Sequence, residues 1–257
     1  PTTIGSYTVN VAYKMICDNN GWYSEKKDKR VYNRSKFIEE YSGNKDIKKN
    51  IDWQNALRLA RQSYFGGHNE SIRNGIFFEK TYDLDLSGAY PLAMSTLKDI
   101  DYSSNPIKIT EANLNIIKPD EFGFGVAKIK YPKEIRFPSL PTKEFDKKNN
   151  RGTIFVRETE GSFSNPEIWY ALYCGAEVEL KDYYLIPNKQ TSMMKDLCEE
   201  LIFERYKNKN DKLKEQIQKL INNSLYGKIA QGISEDSKND RNILSNEVYA
   251  SHTTALI

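Results

Sequence analysis

The feature that most constrains the fold is a pair of adjoining helical stretches in the last third of the chain. The first spans residues 190–207 and repeats apolar side chains on one side at helical spacing, namely Met193, Met194, Leu197, Leu201 and Ile202. Asn208-Lys-Asn210 marks a turn, and Asp211 is a residue type that favours the N-cap of a following helix. The pattern predicts an antiparallel helical hairpin.

The second stretch presents two different faces. At about 100° per residue, Lys219, Asn223 and Tyr226 fall within one stripe. The opposite side is expected to pack on a domain body, and it carries Leu213, Ile217, Leu220, Ile221 and Leu225. A cation can neutralise a triphosphate, an amide can hydrogen-bond a sugar or base, and a ring can lie against a base pair. Gly227 after the ring admits close approach of a nucleotide. A surface helix that carries these residues without such a role is the alternative.

The segment Lys219-Leu-Ile-Asn-Asn-Ser-Leu-Tyr-Gly227 resembles motif B, which lies on the fingers helix of family B DNA polymerases. The resemblance implies that Lys219, Asn223, Tyr226 and Gly227 contact the incoming nucleotide. At the end of the first helix, Lys207 is expected to meet Lys219 near the triphosphate. Arg205 is the alternative for that role, and both cations are also compatible with simple solvation.

Residues 76–86 alternate in a way that predicts a strand, with Asp83 and Asp85 on one face. Two carboxylates on one face are costly to bury without cations, so a metal ion or a basic partner is expected. The strand leads into a tight turn and a helix that starts at Leu92, with Pro91 at an allowed first-turn position.

Asp85-Leu-Ser-Gly-Ala-Tyr-Pro91 resembles motif A of the same polymerases, whose usual form is Asp-x-x-Ser-Leu-Tyr-Pro. The resemblance implies that Asp85 is catalytic and binds Mg²⁺, a hard cation that prefers oxygen ligands. It places Tyr90 beneath the nucleotide sugar, where the ring excludes a 2′-hydroxyl. Gly88-Ala89 departs from the usual Ser-Leu and loses a hydroxyl, although backbone N–H groups can still bind phosphate. For Asp83, a solvated or lysine-paired carboxylate and a metal role both stay open.

Tyr64-Phe-Gly-Gly67 marks a turn by its adjacent glycines. Its placement resembles the Tyr-x-Gly-Gly element of these polymerases, a loop that contacts template DNA and links the exonuclease and polymerase regions. The resemblance therefore implies that Tyr64, Gly66 and Gly67 bind DNA.

The remaining chain predicts further elements. Helices are expected over 1–20, 52–63 and 166–176, strands over 122–131 and 177–186, and a hairpin over 140–165 with its turn at 149–152. The basic run 24–50 is interpreted as a solvated linker in preference to a phosphate-tracking patch. In the protein-primed subgroup of these polymerases, an insertion between motifs A and B contacts a terminal protein and the template, and this chain has room for one.

Composition excludes several other classes. The net charge of +3 permits nucleic-acid binding without arguing for it, and Cys17, Cys174 and Cys198 form neither a disulfide framework nor a zinc pattern. Such cysteines suggest a cytoplasmic protein, in the host cytoplasm if the gene is viral. The chain has no apolar run long enough for a membrane span. It also lacks a Ser-His-Asp arrangement, a Walker loop and a histidine cluster.

A polymerase site uses two Mg²⁺ ions. The second aspartate belongs to motif C, a Tyr-x-Asp-Thr-Asp-like turn that the sequence does not contain, and Asp99-Ile-Asp101 follows motif A too soon to replace it. We therefore expect a fragment that lacks full activity by itself, cut before motif C.

The predicted fold class is α+β, a polymerase palm with helical-hairpin fingers. The expected divisions are 1–75 (linker region with the Tyr-x-Gly-Gly loop), 76–189 (palm with motif A and an insertion), 190–232 (fingers) and 233–257 (return to the palm). The predicted function is template-directed DNA synthesis with primer–template DNA, dNTP and a terminal protein as partners. Two alternatives stay open: a non-catalytic nucleic-acid-binding remnant of a polymerase, and an unrelated α+β protein with chance matches.

Overall fold

Helices and antiparallel strands build the described part of the chain, which in this computed structural model is residues 3–27, 29–67, 74–84, 86, 88–109, 114–145 and 151–257. The helices are α1 (Ile4–Asn19), α2 (Arg34–Ser42), α3 (Ile51–Gln62), α4 (Ala89–Ser95), α5 (Asn165–Tyr173), α6 (Met193–Lys207), α7 (Lys212–Ile229) and α8 (Glu247–Ala255). The strands are β1 (Tyr23–Lys26), β2 (Lys29–Tyr32), β3 (Ile107–Ile109), β4 (Gly123–Lys130), β5 (Leu140–Phe145), β6 (Arg151–Val156), β7 (Glu158–Ser164) and β8 (Glu177–Leu185). No helix in this described part is long and apolar enough to cross a membrane.

The main sheet has the strand order β3-β8-β4-β7, and every neighbouring pair is antiparallel. Successive side chains alternate between its two faces, so Tyr184 joins the core with α3 while Tyr183 joins the core with α5. The predicted strands over 122–131 and 177–186, the helix over 166–176 and the α+β class are confirmed.

A second, two-stranded sheet pairs β5 with β6 and confirms the predicted hairpin. Its turn was predicted at 149–152. That position is wrong, because Arg151 and Gly152 pair with Phe145 and Glu144 inside the ladder, while residues 146–150 lie outside the described residues.

The basic run 24–50 is folded, so its interpretation as a solvated linker is wrong. Its residues form β1, β2 and α2. Phe37 and Tyr41, one helical turn apart, are fully buried, and the Tyr41 hydroxyl donates to the Leu244 carbonyl at 2.9 Å. The cations lie on the exposed side of these elements, and their number masks the apolar pair in the sequence pattern.

The strand predicted over 76–86 is also wrong for the described residues there. Residues 74–84 and 86 belong to no strand, and Phe78, Tyr82 and Leu84 are 95%, 72% and 90% exposed. A strand needs a partner for its backbone groups, and no described strand pairs with this segment.

The helical hairpin of α6 and α7 forms as predicted, but only its base is buried. Ile221 and Leu225 are buried as expected. Four side chains assigned to the packed faces are instead exposed, namely Ile202, Leu213, Ile217 and Leu220. The distal half of the hairpin projects beyond the core, so its apolar residues have no layer to pack against.

Candidate nucleotide and nucleic-acid site

The helix α7 is fixed at its start by a cap and along its length by α1. The Lys214 backbone N–H donates to the Asp211 carboxylate at 3.2 Å, which confirms the predicted N-cap. The Thr8 and Ser224 hydroxyls hydrogen-bond at 2.6 Å and join α1 to α7. Lys219 and Asn223 are exposed to solvent.

Tyr226 connects α7 to two other parts of the chain. Its ring stacks on Tyr90 of α4, with centroids 4.2 Å apart and planes 24° from parallel. Its hydroxyl hydrogen-bonds Thr254 of α8 and lies beside the Tyr64 hydroxyl. Burial, with a further contribution from Tyr64, holds the pKa of Tyr226 well above its usual range. The phenol therefore stays neutral and anchored.

The start of α4 explains the departure from motif A. Gly88 adopts a left-handed backbone conformation (φ 72°) immediately before the helix. Residues other than glycine rarely adopt this conformation. The helix begins at Ala89 rather than Leu92, and Pro91 still lies in its first turn.

The Tyr64–Gly67 loop reaches the same place. A β-carbon on Gly67 would lie 3.4 Å from the Tyr90 hydroxyl oxygen, so the loop backbone passes directly beside the ring. Thus Tyr90, Tyr226 and the loop, which are far apart in sequence, meet at one point. Around Gly66 and Gly227, by contrast, added β-carbons would meet open space.

Asp85, the predicted metal ligand and catalytic residue, lies outside the described residues. Asp83 is described and is exposed. Within the described ranges, no three histidine, cysteine, aspartate or glutamate side chains lie together in a way that would hold a metal ion.

The cations of the hairpin differ in their pairing. Arg205 forms an ion pair with Glu215 at 3.0 Å across the two helices, whereas Lys207 pairs with Glu204 on its own helix at 3.6 Å. In the register of the Arg205–Glu215 pair, Lys207 lies nearer the tip of the hairpin than the residues opposite Lys219. The structure thus ties Arg205 into the hairpin and leaves Lys207 more exposed.

Asp99 is a residue whose role sequence reasoning missed. Its buried carboxylate accepts the Met193 backbone N–H at 2.8 Å and the Thr191 hydroxyl at 2.6 Å, which fixes the start of α6 against the end of α4. No spacing rule reveals this contact, because its partners lie far along the chain.

A groove of about 760 Å³ opens beside the meeting point. Its lining includes Gly66, Gly67 and Tyr90, together with Phe155 of β6 and Trp169 of α5. The groove is lined by one carboxylate side chain among the described residues, Glu167, whose pKa burial raises to about 7. It therefore combines aromatic walls with little fixed charge.

His252 is packed in the interior on the same helix as Ser251 and Thr254, which line the groove. It is buried on α8, with its ring edge-on to Phe122 at 5.0 Å. Burial lowers the pKa of His252 to about 4, so the imidazole is neutral at physiological pH.

Comparison with known proteins defines the class. The family model for organellar and viral type B DNA polymerases matches residues 54–249, and the chain belongs to this family. Primer-independent DNA polymerase PolB of Escherichia coli is 26% identical over 252 residues, which cover 91% of this chain and 28% of that protein. A probable DNA polymerase of Neurospora intermedia is 30% identical over 178 residues, which cover 66% of this chain and 18% of that protein.

Two solved structures share the fold. Phi29 DNA polymerase complexed with primer-template DNA matches with a TM-score of 0.54 and 18% identity, covering 90% of this chain and 36% of that one. Its complex with primer-template DNA and incoming nucleotides matches with a TM-score of 0.53 and 17% identity, covering 89% and 36%. The chain thus spans roughly a third of that polymerase and shares its α+β fold.

Proposed function

We propose that this chain forms the nucleotide-binding and template-contacting part of a DNA polymerase. In the proposed reaction, the primer 3′-hydroxyl oxygen attacks the α-phosphorus of a dNTP, the bond from that phosphorus to the bridging oxygen breaks, and pyrophosphate leaves. The observation that carries the proposal is the stacking of Tyr90 on Tyr226 beside the Tyr64–Gly67 loop. Family membership supplies the class of reaction.

Each side chain has a proposed role. Lys219, helped by Lys207, neutralises the triphosphate, and Asn223 hydrogen-bonds the nucleotide. Tyr226 lies against the new base pair, Gly227 leaves room for it, and Tyr90 excludes a 2′-hydroxyl from the sugar position. Tyr64, Gly66 and Gly67 contact the template.

Two Mg²⁺ ions, when bound, would activate the 3′-hydroxyl and stabilise the leaving pyrophosphate. Asp85 is the ligand that we assign to them. The described residues hold no metal cluster of their own, so we derive no further step through the ions.

The proposed partners are primer–template DNA and dNTP, in the cytoplasm. A terminal protein is the further partner that the protein-primed subgroup implies. The name of the Escherichia coli relative, primer-independent, motivates a direct test of how synthesis starts. Incorporation on a template without a primer, with and without the terminal protein, would separate these modes of priming.

Nucleotide binding by the 257-residue chain tests the proposal without requiring catalysis. A fluorescent primer–template is titrated with the chain in the presence of Mg²⁺ and a dNTP. The dNTP that matches the template base should tighten binding, and a mismatched dNTP should not. Lys219→Ala should weaken nucleotide binding on the order of ten-fold, because hydrogen bonds to charged groups are among the strong ones.

Lys209→Ala is the matched control. Lys209 is exposed at the turn between α6 and α7, with its ammonium 5.6 Å from the Tyr206 ring, and it should not affect nucleotide binding. Equal effects of matched and mismatched dNTP would contradict the proposal.

The assignment of Asp85 needs an activity assay in a complete polymerase that contains this segment. Asp85→Asn should abolish primer extension with Mg²⁺, whereas Asp83→Asn should preserve it. Normal extension by the Asp85 variant would show that the metal assignment is wrong.

A further inference from the structure

The outer face of α5 carries a ladder of exposed aromatic rings. Trp169, Tyr170 and Tyr173 are 39%, 44% and 76% exposed. Trp169 and Tyr173 lie one helical turn apart and stack with centroids 5.6 Å apart and planes 16° from parallel. Tyr170 and Tyr173 stack at 6.5 Å and 26°. We call these three residues the aromatic shelf.

The shelf is not required by the packing of α5. The opposite side of the helix already supplies Ile168 and Ala171 to the core beneath the sheet, and both are fully buried. Exposed aromatic clusters of this kind usually mark an interaction site.

The position of the shelf indicates its partner. Trp169 and Tyr170 line the same groove as Gly66, Gly67 and Tyr90, so the shelf continues the surface that we assign to template and nucleotide. The described groove lining includes no lysine or arginine. Such a surface suits the flat faces of bases better than phosphates.

A cation lies on the adjoining loop. Arg136 stands 4.9 Å over the Phe137 ring, on a loop that leads into Ser139 of the groove. The loop is fixed near α5, because the Ser139 hydroxyl bonds the Tyr131 hydroxyl at 2.8 Å and Tyr131 lies beside Tyr170. Bases facing the groove would leave their phosphates outward, where a rim cation can reach them.

We propose that the aromatic shelf binds a single-stranded segment of the template by stacking its bases on Trp169 and Tyr173. Every base has a π-face, and a single strand leaves those faces free whereas a duplex does not, so the site selects single strands with little sequence preference. This inference rests on the proposed function, since the strand that occupies the shelf is the template of that reaction.

Fluorescence anisotropy of a labelled 20-nucleotide oligodeoxythymidine with the 257-residue chain tests the proposal. Trp169→Ala and Tyr173→Ala should each weaken binding about ten-fold, the scale of one lost base stack. Trp169→Phe retains a ring and should stay within about two-fold of wild type. The matched control is Tyr7→Ala, because Tyr7 is 57% exposed on α1.

The salt dependence adds a measurement that a merely structural role would not reproduce. The slope of log affinity against log salt should be unchanged in the alanine variants, because they remove stacking and leave phosphate contacts intact. Circular dichroism should show unchanged folding, since the substituted rings are exposed.

The outcomes separate the two proposals. If the alanine variants bind oligodeoxythymidine as wild type does, or the chain does not bind it, the shelf proposal is overturned, and a protein contact becomes the better interpretation of the shelf. If the variants weaken this binding but matched dNTP has no effect on primer–template binding, the shelf is a single-strand site and the proposed polymerase function fails.

Discussion

The helix α7 and the segment 74–86 each carry a polymerase-like sequence motif, but only α7 forms the secondary structure that its sequence predicts. The helix α7 forms over its whole predicted length and holds Tyr226 against Tyr90. The described residues of 74–86 belong to no strand and expose most of their large apolar side chains. The difference lies in where the backbone hydrogen bonds go. A helix satisfies them within itself, whereas a strand depends on a partner elsewhere.

The largest expected difference between the two segments is in the effect of truncating one leucine in each on the free energy of unfolding. Leu225 on α7 is 1% exposed, and Leu84 is 90% exposed. Leu225→Ala should lower the free energy of unfolding by about 2–5 kcal/mol, through lost burial and a cavity. Leu84→Ala should change it by less than about 0.5 kcal/mol. Urea denaturation of the 257-residue chain measures both, and equal effects would contradict the contrast.

Acid should destabilise α8, the helix whose Thr254 hydroxyl hydrogen-bonds Tyr226 of α7. Burial lowers the pKa of His252 on α8 to about 4, below its value of 6.5 in an unfolded chain. Because the unfolded chain binds the proton first, stability from this group is present above pH 6.5 and is lost as the pH falls towards 4. The loss should reach about 3 kcal/mol at most.

Glu167 changes the stability in the opposite direction over an overlapping pH range. Burial raises its pKa from 4.5 to about 7, so the folded chain binds this proton first and stability falls as the pH rises between those values. Unfolding is therefore compared between wild type and His252→Gln at each pH from 7 to 4.5. The variant should lose stability on acidification less steeply than wild type, and parallel curves would contradict the assignment to His252.

A matched pair of aspartates makes a similar comparison. Asp99 is buried and accepts the first backbone N–H of α6, whereas Asp83 is exposed. Asp99→Ala should destabilise the chain by about 2 kcal/mol, because it leaves the Met193 N–H and the Thr191 hydroxyl without their acceptor. Asp83→Ala should stay within about 0.5 kcal/mol. Thermal unfolding measures the stability of both variants. A loss for Asp99→Ala that is no larger than the loss for Asp83→Ala would contradict the role assigned to Asp99.

The smallest effect is expected at the contact between α1 and α7. Thr8→Ala removes the 2.6 Å hydrogen bond to Ser224 and should cost about 1 kcal/mol. Thr8→Ser keeps a hydroxyl and should recover most of that loss. If the serine variant is no more stable than the alanine variant, the hydroxyl does not support α7.

The helices were predictable because their signals are local. Asp211 as an N-cap and the buried positions of α3, among them Trp53 and Ala56, follow from residue type and spacing alone. The burial of Phe37 and Tyr41 was missed because surrounding lysines and arginines dominate the composition of that segment. The exposure of Leu213 and Leu220 depends on how far the hairpin projects from the core, which periodicity does not encode.

For the proposed site, the motif resemblances grouped Tyr90, Tyr226 and the Tyr64–Gly67 loop but did not indicate the contacts between them. The sequence assigned Tyr90 and Tyr226 to the same nucleotide site but gave no indication that their rings stack on each other. The hydrogen bond of Tyr226 to Thr254 and that of Asp99 to the Met193 N–H join distant parts of the chain and have no local signal. The aromatic shelf did have one, since Trp169 and Tyr173 stand at helical spacing.

The central claim is that motif A and motif B residues share one nucleotide site, and sugar discrimination tests it most directly. The affinity of the chain–primer–template complex is measured for a matched dNTP and for the corresponding ribonucleotide. The wild type should prefer the dNTP, and Tyr90→Val should bring the ratio towards one by opening space for the 2′-hydroxyl. Tyr226→Ala should weaken both nucleotides alike. An unchanged dNTP preference in Tyr90→Val would contradict the claim that this ring lies against the sugar.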